Sequence, residues 1–283
     1  MFKRRTSGSV VCPSCGSLVG VLDDRCAICG RWNPGLWGFA PLLRSLGNDL
    51  GFVPLIIGGS AVLYVATLLV SGSNIRMQGL FSLLAPSLPA LFLFGASGAV
   101  PIFEYGRWWT VLSATWLHGG LLHVVFNMLW VRQLGPAAAE IFGASRMVII
   151  YTMAGVAGFL FSSFGGEFVR LPFIQGAGFT IGASASIFGL LGGLVYYDRR
   201  SGSSLVRREA WGYAVPLFVF GLIMPGIDNY AHAGGFAGGY LTAIVLDPLK
   251  PERVEHLIVA ILCVGLSLLA VAVSIVTGLR YFS

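Results

Sequence analysis

Apolar stretches of about 20 residues recur along most of this chain, each closed by a short polar or glycine-rich break. At 1.5 Å per residue, a helix of that length covers the ~30 Å hydrocarbon core of a bilayer. The pattern predicts spanning helices at about 52–71, 119–138, 147–165, 183–198, 210–226, 230–247 and 257–278. One more stretch, Leu80 to Val100, is apolar enough to span, but Pro86, Pro89 and several Gly and Ser residues interrupt it. Composition points the same way. Of 283 residues, 56% are hydrophobic and 11% charged, and mean hydropathy is +0.81, whereas soluble domains carry about 25% charged residues. A soluble globular protein is excluded, and an all-α polytopic membrane protein solvated by the lipid bilayer is expected.

Charge settles the interrupted stretch. The net charge of +6 is scattered in short groups between apolar stretches, so no nucleic-acid partner is expected. If 80–100 does not span, 14 of the 18 Lys and Arg residues fall on the N-terminal side, from Lys3 through Arg199 and Arg200 to Arg253. Only Arg76, Arg107, Arg170 and Arg280 then lie on the other side. If it does span, every later loop changes sides and the split is 9 to 9. The positive-inside rule therefore predicts seven spans, a cytosolic N-terminus, a C-terminus outside and an outer loop over 73–116, of which 80–116 partly re-enters the membrane or lies in its interface. No secretory signal is expected, because Lys3-Arg4-Arg5 leads into a polar module rather than an apolar stretch. A compact core without targeting signals suits a bacterial inner membrane.

That polar module, residues 1–35, carries Cys12-Pro-Ser-Cys15 and Cys26-Ala-Ile-Cys29, with a glycine after each pair. Two thiolates separated by two residues grip one metal from a tight turn, and two such knuckles complete a tetrahedral site. The pattern predicts a small N-terminal zinc ribbon with Cys12, Cys15, Cys26 and Cys29 as ligands. Two redox pairs or disulfides are the alternative, less favoured because paired knuckles at this spacing rarely serve redox chemistry. A closed four-thiolate site leaves no open position for catalysis, and so small a module lacks a core, so the zinc is structural. The ribbon could bind a cytosolic partner, sense zinc or orient the first span. Residues 36–51 are a linker, and Cys263, within an apolar stretch, is read as packing.

In this topology the second, fourth and sixth spans start near the outer surface, and the polar side chains sit at those starts. His123 and Asn127 open the second span, Ser184 the fourth and His232 the sixth. A spacing of four puts His123 and Asn127 on one helix face. Gly182, Gly189 and Gly193 accompany Ser184, and Gly234, Gly235, Gly238 and Gly239 follow His232, a small-residue pattern that lets helix backbones approach closely. Such helices can bring a serine hydroxyl to an imidazole, the minimum for an activated nucleophile. His123 and Asn127 would then donate to a developing oxyanion. Each residue alone has a structural reading, as a back-bonded serine or as interhelical glue; the joint depth favours chemistry. Ser162, Ser163 and Ser186 lack a histidine at matched depth and keep the structural reading. His118 is expected to make a structural hydrogen bond, and His256 to lie on the cytosolic surface.

The segments Trp-Leu-His118-Gly-Gly-Leu-Leu-His123-Val-Val-Phe-Asn127, Gly182-Ala-Ser184-Ala-Ser-Ile-Phe-Gly189 and Ala231-His232-Ala-Gly-Gly-Phe-Ala-Gly-Gly239 together resemble the rhomboid intramembrane serine proteases. The resemblance covers roughly 52–248. It implies a rhomboid-like six-helix core, to which 249–283 adds a seventh C-terminal transmembrane helix. It also implies a Ser184–His232 dyad without an acidic third member, and an oxyanion site formed by the Ser184 backbone amide with His123 and Asn127. The implied substrates are single-span membrane proteins cut near the outer face at small residues. Two departures stand out. Ala185 follows the serine where the family usually has glycine, and Arg107 precedes Trp108 and Trp109 where the family commonly places arginine after the tryptophans.

The reading is thus an intramembrane serine endopeptidase needing no catalytic cofactor. The alternative is a catalytically inactive rhomboid-like protein that binds transmembrane clients, although a pure binder needs no aligned dyad and donors. A transporter would need a charged or unwound midplane pathway, whereas the acidic residues lie almost wholly at span ends. No His-Glu-x-x-His motif occurs, and no pair of aspartates faces across two spans.

Overall fold

A computed structural model describes residues 4–77, 82–169, 176–202, 204–224 and 226–281. Lys3 and Arg170, counted above as topology charges, and Leu80 at the start of the interrupted stretch lie outside these residues.

The N-terminal module is an antiparallel hairpin of β1 (Ser9–Val11) and β2 (Leu18–Gly20), with Val10 paired to Val19. The short helix α1 (Ala40–Arg44) leads into α2 (Phe52–Ser71). After α2 come α3 (Leu88–Phe94), a π-helical turn at Val100–Glu104 and α4 (Thr110–Ser113). The remaining long helices are α5 (Leu121–Phe142), α6 (Ala144–Phe168), α7 (Ser184–Ser201), α8 (Ser204–Ile223), α9 (Asn229–Leu246) and α10 (Val254–Gly278).

A long helix stands at each of the seven stretches that hydropathy marks. Their ends differ because hydropathy reports hydrocarbon rather than hydrogen bonding. Thus α8 starts at Ser204 and takes in Arg208 and Glu209. Phe52–Asn74, Ala144–Phe168 and Val254–Tyr281 are each long and apolar enough to cross a membrane alone. The other four carry His123, His232, Asn127 and most of the paired glycines, which are tolerated where a helix faces protein rather than lipid. Outward-facing apolar side chains such as Val245, 82% exposed, and Leu69, 77% exposed, suit a lipid surround rather than water. The molecule is an integral membrane protein.

α7 forms the axis of the bundle, with Ala183, Ser186 and Leu191 wholly buried. Small residues let its neighbours reach it. A methyl added at Gly235 or Gly239 of α9 would lie 2.1 Å from the Ala185 carbonyl oxygen or 2.0 Å from that of Gly189. The alternate glycines of α9, Gly234 and Gly238, meet Phe161 and Ala157 of α6 instead. Two glycine faces on one helix therefore bring α6, α7 and α9 into backbone contact.

The interrupted stretch does not form a spanning helix. From Ala90 to Ala99 it is buried in protein. Arg107, 1% exposed, donates to the carbonyls of Phe92 (2.6 Å) and Ser274 (2.7 Å) and lies 4.2 Å from the centre of the Phe92 ring. Trp109 Nε1 donates to Ser274 Oγ at 3.0 Å. The displaced arginine thus anchors the loop between α2 and α5 onto α3 and onto α10. Farther on, Ser97 and Thr180 exchange backbone hydrogen bonds of 3.1 and 2.8 Å, and the Gly182 N–H donates to the Ala114 carbonyl at 3.0 Å. The loop therefore fixes the chain entering α7.

The ribbon docks at the other end. Arg31, 6% exposed, and Ser14 both donate to the Glu252 carbonyl, while the Glu252 carboxylate accepts the Ser145 and Arg146 N–H groups at the start of α6. Gly165, near the other end of α6, touches Tyr230 at the start of α9. At 1.5 Å per residue the two contacts are about 30 Å apart along α6. His256 is half-buried, its Nδ1 accepting the Arg253 N–H at 3.1 Å, so it caps α10 rather than lying free on the surface.

Candidate active site

Ser184 is the first residue of α7, and His232 lies in the first turn of α9. The glycine contacts between these helices bring Ser184 Oγ to 2.9 Å from His232 Nε2. His232 is 5% exposed, and its ring stacks on Phe188 at 4.3 Å between centres and 17° between planes. Phe188 follows Ser184 by four residues and shares its helix face. The other ring nitrogen, Nδ1, lies 3.2 Å from Asn229 Oδ1. Sequence reading singled out neither Phe188 nor Asn229, although the i, i+4 and i, i+3 spacings mark both as neighbours of the pair.

His123 is turned toward the same spot. Its Nδ1 accepts the Gly119 N–H at 3.1 Å, so in the neutral ring Nε2 carries the proton and is a donor. A methyl built on Gly182 would lie 2.7 Å from that Nε2 and 3.8 Å from Ser184 Oγ. Gly182 has φ +123°, a conformation open to glycine and strained for other residues. Its missing side chain is therefore what admits the imidazole beside the serine. At the start of α7 the Ser184 N–H is one of the four amides with no partner inside the helix, at the positive end of the helix dipole. Asn127 is 6% exposed and donates one amide N–H to the His123 carbonyl at 2.8 Å, which holds it one turn deeper than His123. A carboxamide has a second N–H beyond the one used there.

The other polar groups have structural partners. Ser186 Oγ pairs with Thr115 Oγ1 at 3.0 Å, Ser163 donates to the Phe159 carbonyl at 2.6 Å, and Ser162 donates to Asp228, which caps α9. His118 departs from expectation. It is wholly buried, and among the described residues neither ring nitrogen makes a hydrogen bond; the ring packs edge-on against His123, 5.1 Å between centres. Its part is to back the His123 ring. Ala185, 1% exposed, directs its methyl toward Gly158 of α6, where an added methyl would lie 2.8 Å from it. The extra carbon packs into the core beneath the site.

In the ribbon, Cys12, Cys15, Cys26 and Cys29 offer sulfurs all within 4.8 Å of one another, with Cys12–Cys29 at 3.7 Å and Cys15–Cys26 at 3.6 Å. A tetrahedral metal with ~2.3 Å bonds to sulfur sets sulfurs about 3.8 Å apart, so the set fits a four-thiolate ion. Gly16 and Gly30 close the knuckles at φ +76° and +71°, donating to the Cys12 and Cys26 carbonyls. The bare thiols do not ionise together. The Ser17 hydroxyl draws Cys15 down to about 6, while burial pushes Cys29 up to about 12, a spread that a bound cation overrides. Cys263 is a free, half-buried thiol packed against the main core.

A polytopic helical core with a hydrogen-bonded serine–histidine pair at the helix ends opposite a cysteine ribbon defines the class of protein. Residues 105–249, just over half of the chain, match the rhomboid domain. The chain belongs to the rhomboid family. It is 33% identical over 168 residues to RHOMBOID-like protein 4 of Arabidopsis thaliana, covering 58% of this chain and 40% of that protein. It is 29% identical over 221 residues to RHOMBOID-like protein 5 of the same plant, covering 71% and 68%. Against Rhomboid protease GluP of Bacillus subtilis it is 32% identical over 181 residues, covering 62% and 34%. The chain thus spans well under half the length of two of these relatives.

Proposed function

We propose that this protein is an intramembrane serine endopeptidase that cuts single-span membrane proteins near the outer membrane face. The observation that carries the reading is the 2.9 Å contact between Ser184 Oγ and His232 Nε2, with the His123 donor facing the same space. Ser184 Oγ attacks the scissile carbonyl while His232 Nε2 takes its proton. The negative oxygen that forms is met by the Ser184 N–H, His123 Nε2–H and the second N–H of Asn127. His232 then passes the proton to the departing amine as the C–N bond breaks, leaving an acyl-enzyme. Water attacks this ester, His232 takes a water proton and returns it to Ser184, and the carboxylic acid leaves. Ser184 is only half-buried, which supports access of water and of an unwound substrate segment. The match to a named protease of Bacillus subtilis supports the same chemistry.

In this reading the active face is the outer one, the ribbon and N-terminus are cytosolic, the C-terminus is outside, and the membrane is a bacterial inner membrane. The 14-to-4 charge split supports the orientation. Residues 1–35 are the ribbon, 36–51 the linker, 52–248 the core and 249–283 the seventh helix. Cys12, Cys15, Cys26 and Cys29 hold one zinc ion, which cross-links the two knuckles and takes no part in the reaction. The ribbon docks on the core through Glu252, which supports a role in orienting the first span beside the other two readings, binding a cytosolic partner and sensing zinc.

A fluorophosphonate probe tests the dyad directly, since it labels serine only when the hydroxyl is activated. Parent and Ser186→Ala protein label, and Ser184→Ala and His232→Ala do not. Unlabelled folded parent protein, beside a labelled control hydrolase, would replace the protease reading with that of a client-binding relative.

A further inference from the structure

His232 is held on three sides: Nε2 against Ser184, the ring face on Phe188, and Nδ1 against Asn229 Oδ1 at 3.2 Å. The third contact lies outside the serine–histidine pair. Asn229 is the first residue of α9, three positions before His232, so the helix itself sets their separation. The amide is also enclosed from α8. A methyl built on Gly221 would lie 2.3 Å from Asn229 Oδ1, so the glycine at that position is what gives the amide oxygen its place. The neighbouring carboxylate is otherwise engaged, since Asp228 accepts the Ala231 N–H at 3.0 Å and the Ser162 hydroxyl.

We infer that Asn229 is a positioning residue for the hydrolysis, its amide oxygen accepting Nδ1–H of His232, with Gly221 of α8 keeping that oxygen in place. This rests on the protease reading above. A neutral imidazole has one N–H, and an amide oxygen only accepts, so the contact puts the proton on Nδ1. The Nε2 lone pair is then left facing Ser184 Oγ, as attack requires. When Nε2 takes the serine proton, the ring becomes a cation with two N–H groups, and Asn229 retains a charge-assisted bond to one of them. A neutral acceptor does this without adding an unpaired charge to a mostly buried site. The pair thus gains a third, uncharged member supplied by the same helix as its base.

The test uses the full-length protein in detergent, a fluorogenic transmembrane peptide as substrate and fluorophosphonate labelling rate as a second readout. Asn229→Leu keeps the bulk and loses the acceptor; kcat and labelling rate fall about 10- to 100-fold, with KM within about 2-fold of the parent, as for a group acting on the transition state. Asn229→Asp restores an oxygen acceptor and recovers most of that loss. Gly221→Ala, with Asn229 intact, lowers kcat in the same way. Parental kcat in Asn229→Leu, or equal damage in the Leu and Asp variants, overturns the proposal. If Asn229→Leu does not fold, Gly221→Ala and Asn229→Asp decide: parental kcat in the first, or a loss in the second as large as in the first, overturns it. A parent no more reactive than Ser184→Ala removes the protease reading, and this proposal with it; a reactive parent with an unaffected Asn229→Leu removes this proposal alone.

Discussion

Gly182 carries the tightest constraint beside Ser184. Its φ of +123° strains any side chain, and a methyl there would lie 2.7 Å from His123 Nε2. Gly182→Ala therefore acts as His123→Ala does. On the proposed oxyanion role of His123, both are expected to lower kcat by about 10²- to 10³-fold, the usual cost of losing one such donor, with little change in KM. Steady-state kinetics on a transmembrane peptide measure this, and a Gly182→Ala protein with parental kcat would remove His123 from the oxyanion role. The four polar positions of the candidate site stood out in the sequence because hydrocarbon makes buried polar groups expensive, so a serine, two histidines and an asparagine near the starts of three spans invite a joint reading. Phe188 and Asn229 were not, since an aromatic or amide near a helix end has many uses and only the fold shows that both touch His232. The same limit explains His118, whose neighbours could not be read from its place near the second span.

At the scale of elements, the loop between α2 and α5 is tied down by α10. Arg107 is enclosed by the Phe92 and Ser274 carbonyls and the Phe92 ring, and Trp109 adds a bond to Ser274. Replacing Arg107 with Met fills the space but removes two hydrogen bonds from a charged donor to the Phe92 and Ser274 carbonyls, at about 1.5–3 kcal/mol each. Trp109→Phe loses one neutral hydrogen bond, about 1 kcal/mol. Thermal unfolding in detergent is expected to rank the parent above Trp109→Phe and Trp109→Phe above Arg107→Met; equal midpoints would show that the loop is held by other contacts. Seven helices were readable from hydropathy because each carries an apolar stretch of about 16 residues or more between polar breaks, although among the described residues only Phe52–Asn74, Ala144–Phe168 and Val254–Tyr281 are long and apolar enough to cross alone. The course of 80–116 was readable only in part. Charge counting ruled out a span, but the burial of residues 90–99 depends on α10 and on the segment before α7, partners far away in the chain.

For the whole molecule, the ribbon and the serine–histidine pair occupy opposite ends of one bundle. Ser14 and Arg31 reach Glu252, whose carboxylate caps α6, so the ribbon's order is passed to the start of a core helix. Purified protein is expected to carry about one zinc ion per chain, and Cys15→Ser to lose it, because four-thiolate sites are closed and structural. Chelation then lowers the unfolding midpoint and exposes the first forty residues to protease; full zinc content in Cys15→Ser would contradict the assignment. The spacing of the cysteines predicted their convergence, while the docking site on Glu252 had no signal in a sequence read one segment at a time. The central claim is tested most directly by reconstituting parent and Ser184→Ala protein in liposomes with a single-span substrate and mapping the products by mass spectrometry. The account predicts one main cut by the parent in the outer third of the substrate span and none by Ser184→Ala. An intact substrate with the parent, or the same product from Ser184→Ala, would contradict it.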